Sequence, residues 1–80
     1  MHAPTPLLTR LAPSPARRAA LFASALQPSD TPDAGTIAAA IRCAIQRFGP
    51  GGCTELMAQE FGDHPDAAAR RMRWARRLAA

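Results

Sequence analysis

The chain has 80 residues and a net charge of +4, and its ten basic residues are all arginine. A chain of this length forms one domain with a small core, which buries only about 60% of the surface of the unfolded state. It contains no apolar run near the ~18 residues of a transmembrane helix and no secretory signal, so we expect neither a membrane span nor export.

The excess of arginine indicates a polyanionic partner, because the planar guanidinium fork binds phosphate through two parallel hydrogen bonds. Arginine without lysine in an alanine-rich chain is also what a GC-rich genome produces. Composition alone therefore leaves a nucleic-acid partner and a genomic bias open as explanations of the charge.

The two cysteines, Cys43 and Cys53, indicate a reducing compartment, since a disulfide scaffold of this size usually has four or more. We expect both to be small apolar residues, with a bridge between them as the alternative. Residues 1–29 lack acids and faintly resemble an organelle transit peptide, but the four prolines among residues 1–15 oppose a targeting helix. We therefore expect a cytoplasmic protein.

Proline and capping residues divide the N-terminal half of the chain. Residues 1–13 contain three prolines and are predicted to be a flexible arm. Ser14 and Pro15 form a helix-start signal, and the helix is predicted over 14–26 with its end before Pro28. Thr31 and Pro32 repeat the signal.

The next helix is predicted over 33–48. Its apolar positions form the clearest stripe in the chain, so we expect this to be the central helix of the core. Gly49 and Pro50 predict a sharp stop, followed by a glycine-rich turn through residue 52. The stripe consists of Ile37, Ile41, Ala44, Ile45 and Phe48.

Two further helices are predicted over 53–61 and 65–79, and the fold class is therefore all-α with three or four helices. In the first of these helices Cys53, Leu56, Met57 and Phe61 can face inward. A three-residue break containing Gly62 follows, since glycine suits a turn with positive φ.

The last helix opens at Pro65, capped by His64 or Asp63, and buries one apolar stripe. Ala58 is expected where the last two helices cross, because a small residue permits close approach. The stripe consists of Ala68, Met72, Ala75 and Ala79.

No set of residues predicts catalysis or metal binding. His64 is expected to cap a helix, and the two histidines and two cysteines lack the spacing of a zinc site. We therefore expect a protein that is not an enzyme and that has no cofactor.

The basic face of the last helix is the strongest functional signal. The second helix of a helix-turn-helix lies in the DNA major groove, with its N-terminal part at the base edges and flanking basic residues at the phosphates. Asp66, Ala69, Arg70 and Arg73 are then expected to face the groove, with Arg76 and Arg77 at phosphates and Thr54 and Gln59 at the DNA backbone. The alternative is a solvated face that keeps an alanine-rich bundle soluble.

The spacing of Ala58 and Gly62, followed by residues 65–72 (PDAAARRM), resembles the helix-turn-helix core of small bacterial and phage transcriptional regulators. The resemblance covers roughly residues 37–79 and implies transcriptional control. The family places aliphatic residues at two inward positions, which here are Ala68 and Arg71. A buried Arg71 would need a carboxylate partner such as Glu60.

The expected partner is double-stranded DNA, which a homodimer would bind. We expect no membrane partner. Trp74 and Leu78 form a second apolar stripe beside the first, which is a candidate dimer surface or ordinary core. The alternative function is a helical protein-interaction module, an adaptor or inhibitor whose arginine face binds an acidic protein.

Overall fold

The computed structural model describes residues 14–79, which form three helices. These are α1 (Pro15–Ala23), α2 (Ala34–Asp63) and α3 (Pro65–Ala79). The predicted all-α class is confirmed, and the described residues contain no strand. None of these three helices has the length and apolar content needed to cross a bilayer. The arm predicted over residues 1–13 lies outside the described part of the chain.

Helix α1 begins where the sequence predicts and ends three residues earlier. The Ser14 hydroxyl oxygen accepts a hydrogen bond from the Arg17 amide at 3.0 Å, and Pro15 occupies the first turn. At the other end the Ser24 hydroxyl donates to the Leu21 carbonyl at 2.7 Å. A serine that bonds the backbone in this way competes with further helix, so α1 stops at Ala23 and not at residue 26.

The N-cap of α2 is Asp33 and not the expected Thr31. The Asp33 carboxylate accepts a hydrogen bond from the Thr36 amide at 2.8 Å. This bond is the main cause that lowers the pKa of Asp33 below its ordinary value. Asp33 directly precedes the first helical residue, Ala34, and aspartate is among the residues preferred at an N-cap.

A kink at Gly49 divides α2 into segments 34–48 and 50–63. Gly49 has φ 73° and ψ 162°, a region that is essentially restricted to glycine. Pro50 lacks an amide hydrogen and disfavours helix at the residue before it, which explains the position of the kink. The turn predicted over 49–52 is therefore wrong in length, because Gly51 and Gly52 are already helical.

The corner between α2 and α3 consists of one residue and not three. Helix α2 continues to Asp63, and only His64, with φ −139° and ψ 68°, departs from helical geometry. Gly62 is helical, and Gly49 alone has positive φ among the described residues. Ala58 is exposed, so it does not form the expected close crossing, and a β-carbon added at Gly62 would meet open space.

The core consists of two clusters that share α1. The larger joins α1 to α3 and contains Leu21, Phe22, Ala68, Met72, Trp74, Ala75 and Ala79, and the smaller joins α1 to both segments of α2 through Ala19, Ala20, Ala44 and Cys53. The segment expected to be central supplies only Ala44 to the buried set, while its other stripe residues are half-buried. Helix α1 is thus the central element of the buried core, because it alone supplies buried residues to both clusters, while Ile41 and Met57 of α2 pack against both from half-buried positions.

The side chains of the second α2 segment and the cysteines add two details. Phe61, expected to face inward, is 37% exposed and stacks on Phe22 with ring centroids 6.0 Å apart. Both cysteines are free thiols, so the alternative of a bridge is not realised. Cys53 is buried, its thiol donates to the Ala44 carbonyl at 3.6 Å, and desolvation raises its pKa.

Candidate nucleic-acid interface

Four exposed arginines of α3 form a continuous surface, which we call the arginine face: Arg70, Arg73, Arg76 and Arg77. At about 100° per residue they occupy about 120° of the helix circumference and about 10 Å of its length. The buried stripe of Ala68, Met72, Ala75 and Ala79 lies on the other side of α3, as predicted. The packing of this stripe therefore directs the arginine face away from the core.

The guanidinium groups of the arginine face have no hydrogen-bond or ion-pair partner within residues 14–79. Arg70 and Arg73, Arg73 and Arg76, and Arg73 and Arg77 are spaced i,i+3 or i,i+4, so they are neighbours on the helix surface. Each such pair of like charges destabilises a helix by about 0.2–0.5 kcal/mol. A bound polyanion would relieve this repulsion.

Of the remaining residues predicted at the DNA, Asp66 is exposed within the same arc of α3, whereas Ala69 is half-buried. Thr54 and Gln59 are both exposed, but they lie about 140° apart around the axis of α2, so one surface cannot include both side chains. The Thr54 hydroxyl already donates to the Pro50 carbonyl at 3.2 Å.

Arg71 points inward and holds the end of α1. Its Nε donates to the Phe22 carbonyl at 2.7 Å, and one terminal amino group donates to the Ser24 and Leu26 carbonyls at 3.0 and 2.9 Å. The expected carboxylate partner, Glu60, is not among these contacts. Backbone carbonyls take its place. That of Phe22 is in the last turn of α1, where carbonyls have no intrahelical donor, and those of Ser24 and Leu26 lie just beyond the helix end.

Two aromatic rings enclose the Arg71 guanidinium, which lies 4.6 Å from the Trp74 ring centroid and 5.8 Å from that of Phe22. Desolvation lowers the pKa of Arg71, and the group stays protonated because an arginine does not lose its proton in proteins. Trp74 is itself 5% exposed and belongs to the core, while Leu78 is half-buried against it. Of the two alternatives for Trp74, a dimer surface or ordinary core, the structure of the chain shows core.

A sequence signal for the role of Arg71 exists at the end of α1. No glycine or asparagine follows Ala23 to cap the helix with a positive φ, and its last turn contains no basic residue. The free carbonyls at that end need a donor from elsewhere. An arginine at an inward position of another helix, between two apolar stripes, is the residue that can supply it.

The described residues contain no cluster of three or more His, Cys, Asp or Glu side chains that could hold a metal ion. The sequence matches no protein-family model, and no curated protein or solved structure matches it either. The arginine face is consequently interpreted from its own geometry and charge.

Proposed function

We propose that the chain binds duplex DNA through the arginine face of α3 and acts in transcriptional control. The observation that carries the proposal is the set of four exposed, unpaired guanidinium groups on one side of a helix whose other side is buried. Such groups bind phosphates and guanine edges through paired hydrogen bonds. A helix of about 10–12 Å diameter fits the major groove, which is about 12 Å wide.

The charge pattern favours a nucleic acid over a merely solvated face. A solubilising surface intersperses acids and bases, so that neighbouring charges attract. Here Asp66 is the one acid within the exposed arc of α3. The repulsion among the arginines is thus retained in the free protein and removed when a polyanion binds.

The corner at His64 indicates how the chain would dock on DNA, because it determines how α3 is supported. The second segment of α2 leads directly into α3, and α3 is held by α1 through the larger core cluster. The single-residue corner differs from the three- to four-residue turn of the helix-turn-helix family. We therefore propose α3 as the reading helix of a tight helical corner, without assigning it the geometry of that family.

The test is binding of a labelled random-sequence duplex over a series of salt concentrations. The logarithm of the affinity should fall linearly with the logarithm of the salt concentration, by about 0.9 for each phosphate neutralised. Replacing Arg70, Arg73 and Arg77 with alanine should reduce the slope by about 2–3 and weaken binding strongly at low salt.

The matched control places the same charge change elsewhere. Arg17 and Arg42 are exposed on α1 and α2, and the double variant Arg17→Gln/Arg42→Gln should be compared with Arg73→Gln/Arg76→Gln. Only the second pair should reduce the slope. Equal duplex affinity of the wild type and the triple alanine variant at low salt would refute the proposal. Tighter binding to polyglutamate than to duplex would favour an acidic protein as the partner.

A further inference from the structure

A cleft of about 480 Å³ lies between α3 and the segment that joins α1 to α2. Four of its lining residues are arginines (Arg70, Arg71, Arg73 and Arg77), and Trp74 and Pro28 form its apolar wall. No acidic residue lines it within the described part of the chain. We call it the arginine cleft.

The arginine cleft combines one fixed guanidinium with three that are free to move. Arg71 is fixed by its bonds to the carbonyls of Phe22, Ser24 and Leu26. Those bonds use Nε and one terminal amino group, and the other amino group has no partner among residues 14–79. No fully buried side-chain nitrogen there lacks a partner, so this second amino group keeps some contact with solvent.

The composition of the cleft selects a phosphate group over a nucleotide base. Several N–H donors without competing carboxylates match a group with several anionic oxygens. A donor already fixed in place loses little entropy when it binds. A base would need an open aromatic face on which to stack, but the Trp74 ring is 5% exposed and has Arg71 over it.

We propose that the arginine cleft binds a single phosphate group, and that in the DNA complex this group is a backbone phosphate at the edge of the arginine face. The assignment of this group to the DNA backbone rests on the proposed function. The other source of the same chemistry is a small molecule that contains phosphate. In this arrangement Arg70 and Arg77 contact the backbone, and Arg70 does not read a base edge as the sequence predicted. Arg76 remains outside the cleft.

The test uses Trp74, the single tryptophan of the chain, as a reporter of occupancy. The wild-type protein is titrated with inorganic pyrophosphate at constant ionic strength, and a saturable change in tryptophan emission is expected. The variant Arg70→Gln/Arg77→Gln should bind at least about tenfold more weakly, since it loses two charge-assisted contacts. Far-UV circular dichroism checks that it remains folded.

The control variant Arg17→Gln/Arg42→Gln has the same net charge and leaves both the cleft residues and the arginine face intact, so its pyrophosphate affinity should change less than about twofold. Equal weakening in both variants, or no saturable response in the wild type, would overturn the site.

Duplex binding distinguishes the two sources of the phosphate. Competition between pyrophosphate and a short duplex for the wild type supports a backbone phosphate in the cleft. Saturable pyrophosphate binding without duplex binding would keep the site, assign it to a small phosphate and reject the DNA function. If Arg70→Gln/Arg77→Gln weakens pyrophosphate binding but loses no more duplex affinity than the control variant, the site is kept and its backbone-phosphate role is overturned.

Discussion

The strongest prediction concerns Arg71, whose substitution with methionine should destabilise the whole domain. Methionine keeps an unbranched apolar stem between Trp74 and Phe22 but removes the three hydrogen bonds that Arg71 donates at the end of α1. Hydrogen bonds to a charged group contribute about 1.5–3 kcal/mol each, and three are lost. Because the guanidinium is half-buried, water replaces part of the loss, and we expect about 2–4 kcal/mol in total.

That loss is large beside the stability of a domain of this size. At about 0.05–0.15 kcal/mol per residue, an 80-residue chain has a free energy of unfolding of about 4–12 kcal/mol. Urea denaturation followed by far-UV circular dichroism measures the change, with the slope of the transition as a check on two-state unfolding. Circular dichroism is preferred to fluorescence because the substitution alters the surroundings of Trp74.

The neighbouring Arg70 supplies the matched control for this measurement. Arg70→Met removes the same charge from an exposed position and should change stability by less than about 0.5 kcal/mol. Arg71→Lys keeps the charge without the planar fork and should lie between the two. If Arg71→Met and Arg70→Met have the same free energy of unfolding, the carbonyl contacts do not hold α1 and the reasoning is refuted.

Two further predictions test the ends and kinks of α2. Gly49→Ala should cost about 1–3 kcal/mol, because its backbone region is closed to side chains, whereas Gly62→Ala should stabilise the protein by about 0.5–1 kcal/mol. Urea denaturation measures both changes. If Gly62→Ala destabilised the protein, residue 62 would be in a turn with positive φ and not in a helix. Asp33→Ala should lower the thermal midpoint more than Thr31→Ala does, since Asp33 is the cap. The pKa of Asp33 is lowered in the folded state, so its contribution is present above the unfolded pKa and is lost as the pH falls through the folded pKa. A deficit that persists unchanged in strong acid would contradict this assignment.

Much of the helical layout follows from local signals in the sequence. Ser14 with Pro15, Gly49 with Pro50, and His64 with Pro65 each mark a boundary, because proline and the residue before it restrict the backbone wherever they occur. The buried stripe of α3 likewise follows from helical spacing.

The rest depends on contacts between residues that are distant in the chain. Arg71 lies 45 to 49 positions from the carbonyls it binds, and no periodicity within α3 distinguishes these from a carboxylate partner. Residue type alone predicts a turn at Gly62, although a glycine with open space at its β-carbon position is also tolerated inside a helix. The arginine cleft similarly depends on Pro28 lying beside α3 in the fold. The sequence indicates only that Pro28 ends a helix.

Six of the eleven buried residues in the part of the chain that the structure describes are alanine, at positions 19, 20, 44, 68, 75 and 79. Side chains this small let helix backbones approach each other closely. An alanine has no alternative rotamers, so its neighbours are packed around one fixed shape with no space for a larger group. Enlarging any of these alanines would force the helix axes apart and shift the elements that support the arginines. Evolutionary variation in this molecule is therefore expected on its outer surface, with the alanine contacts permitting little increase in volume.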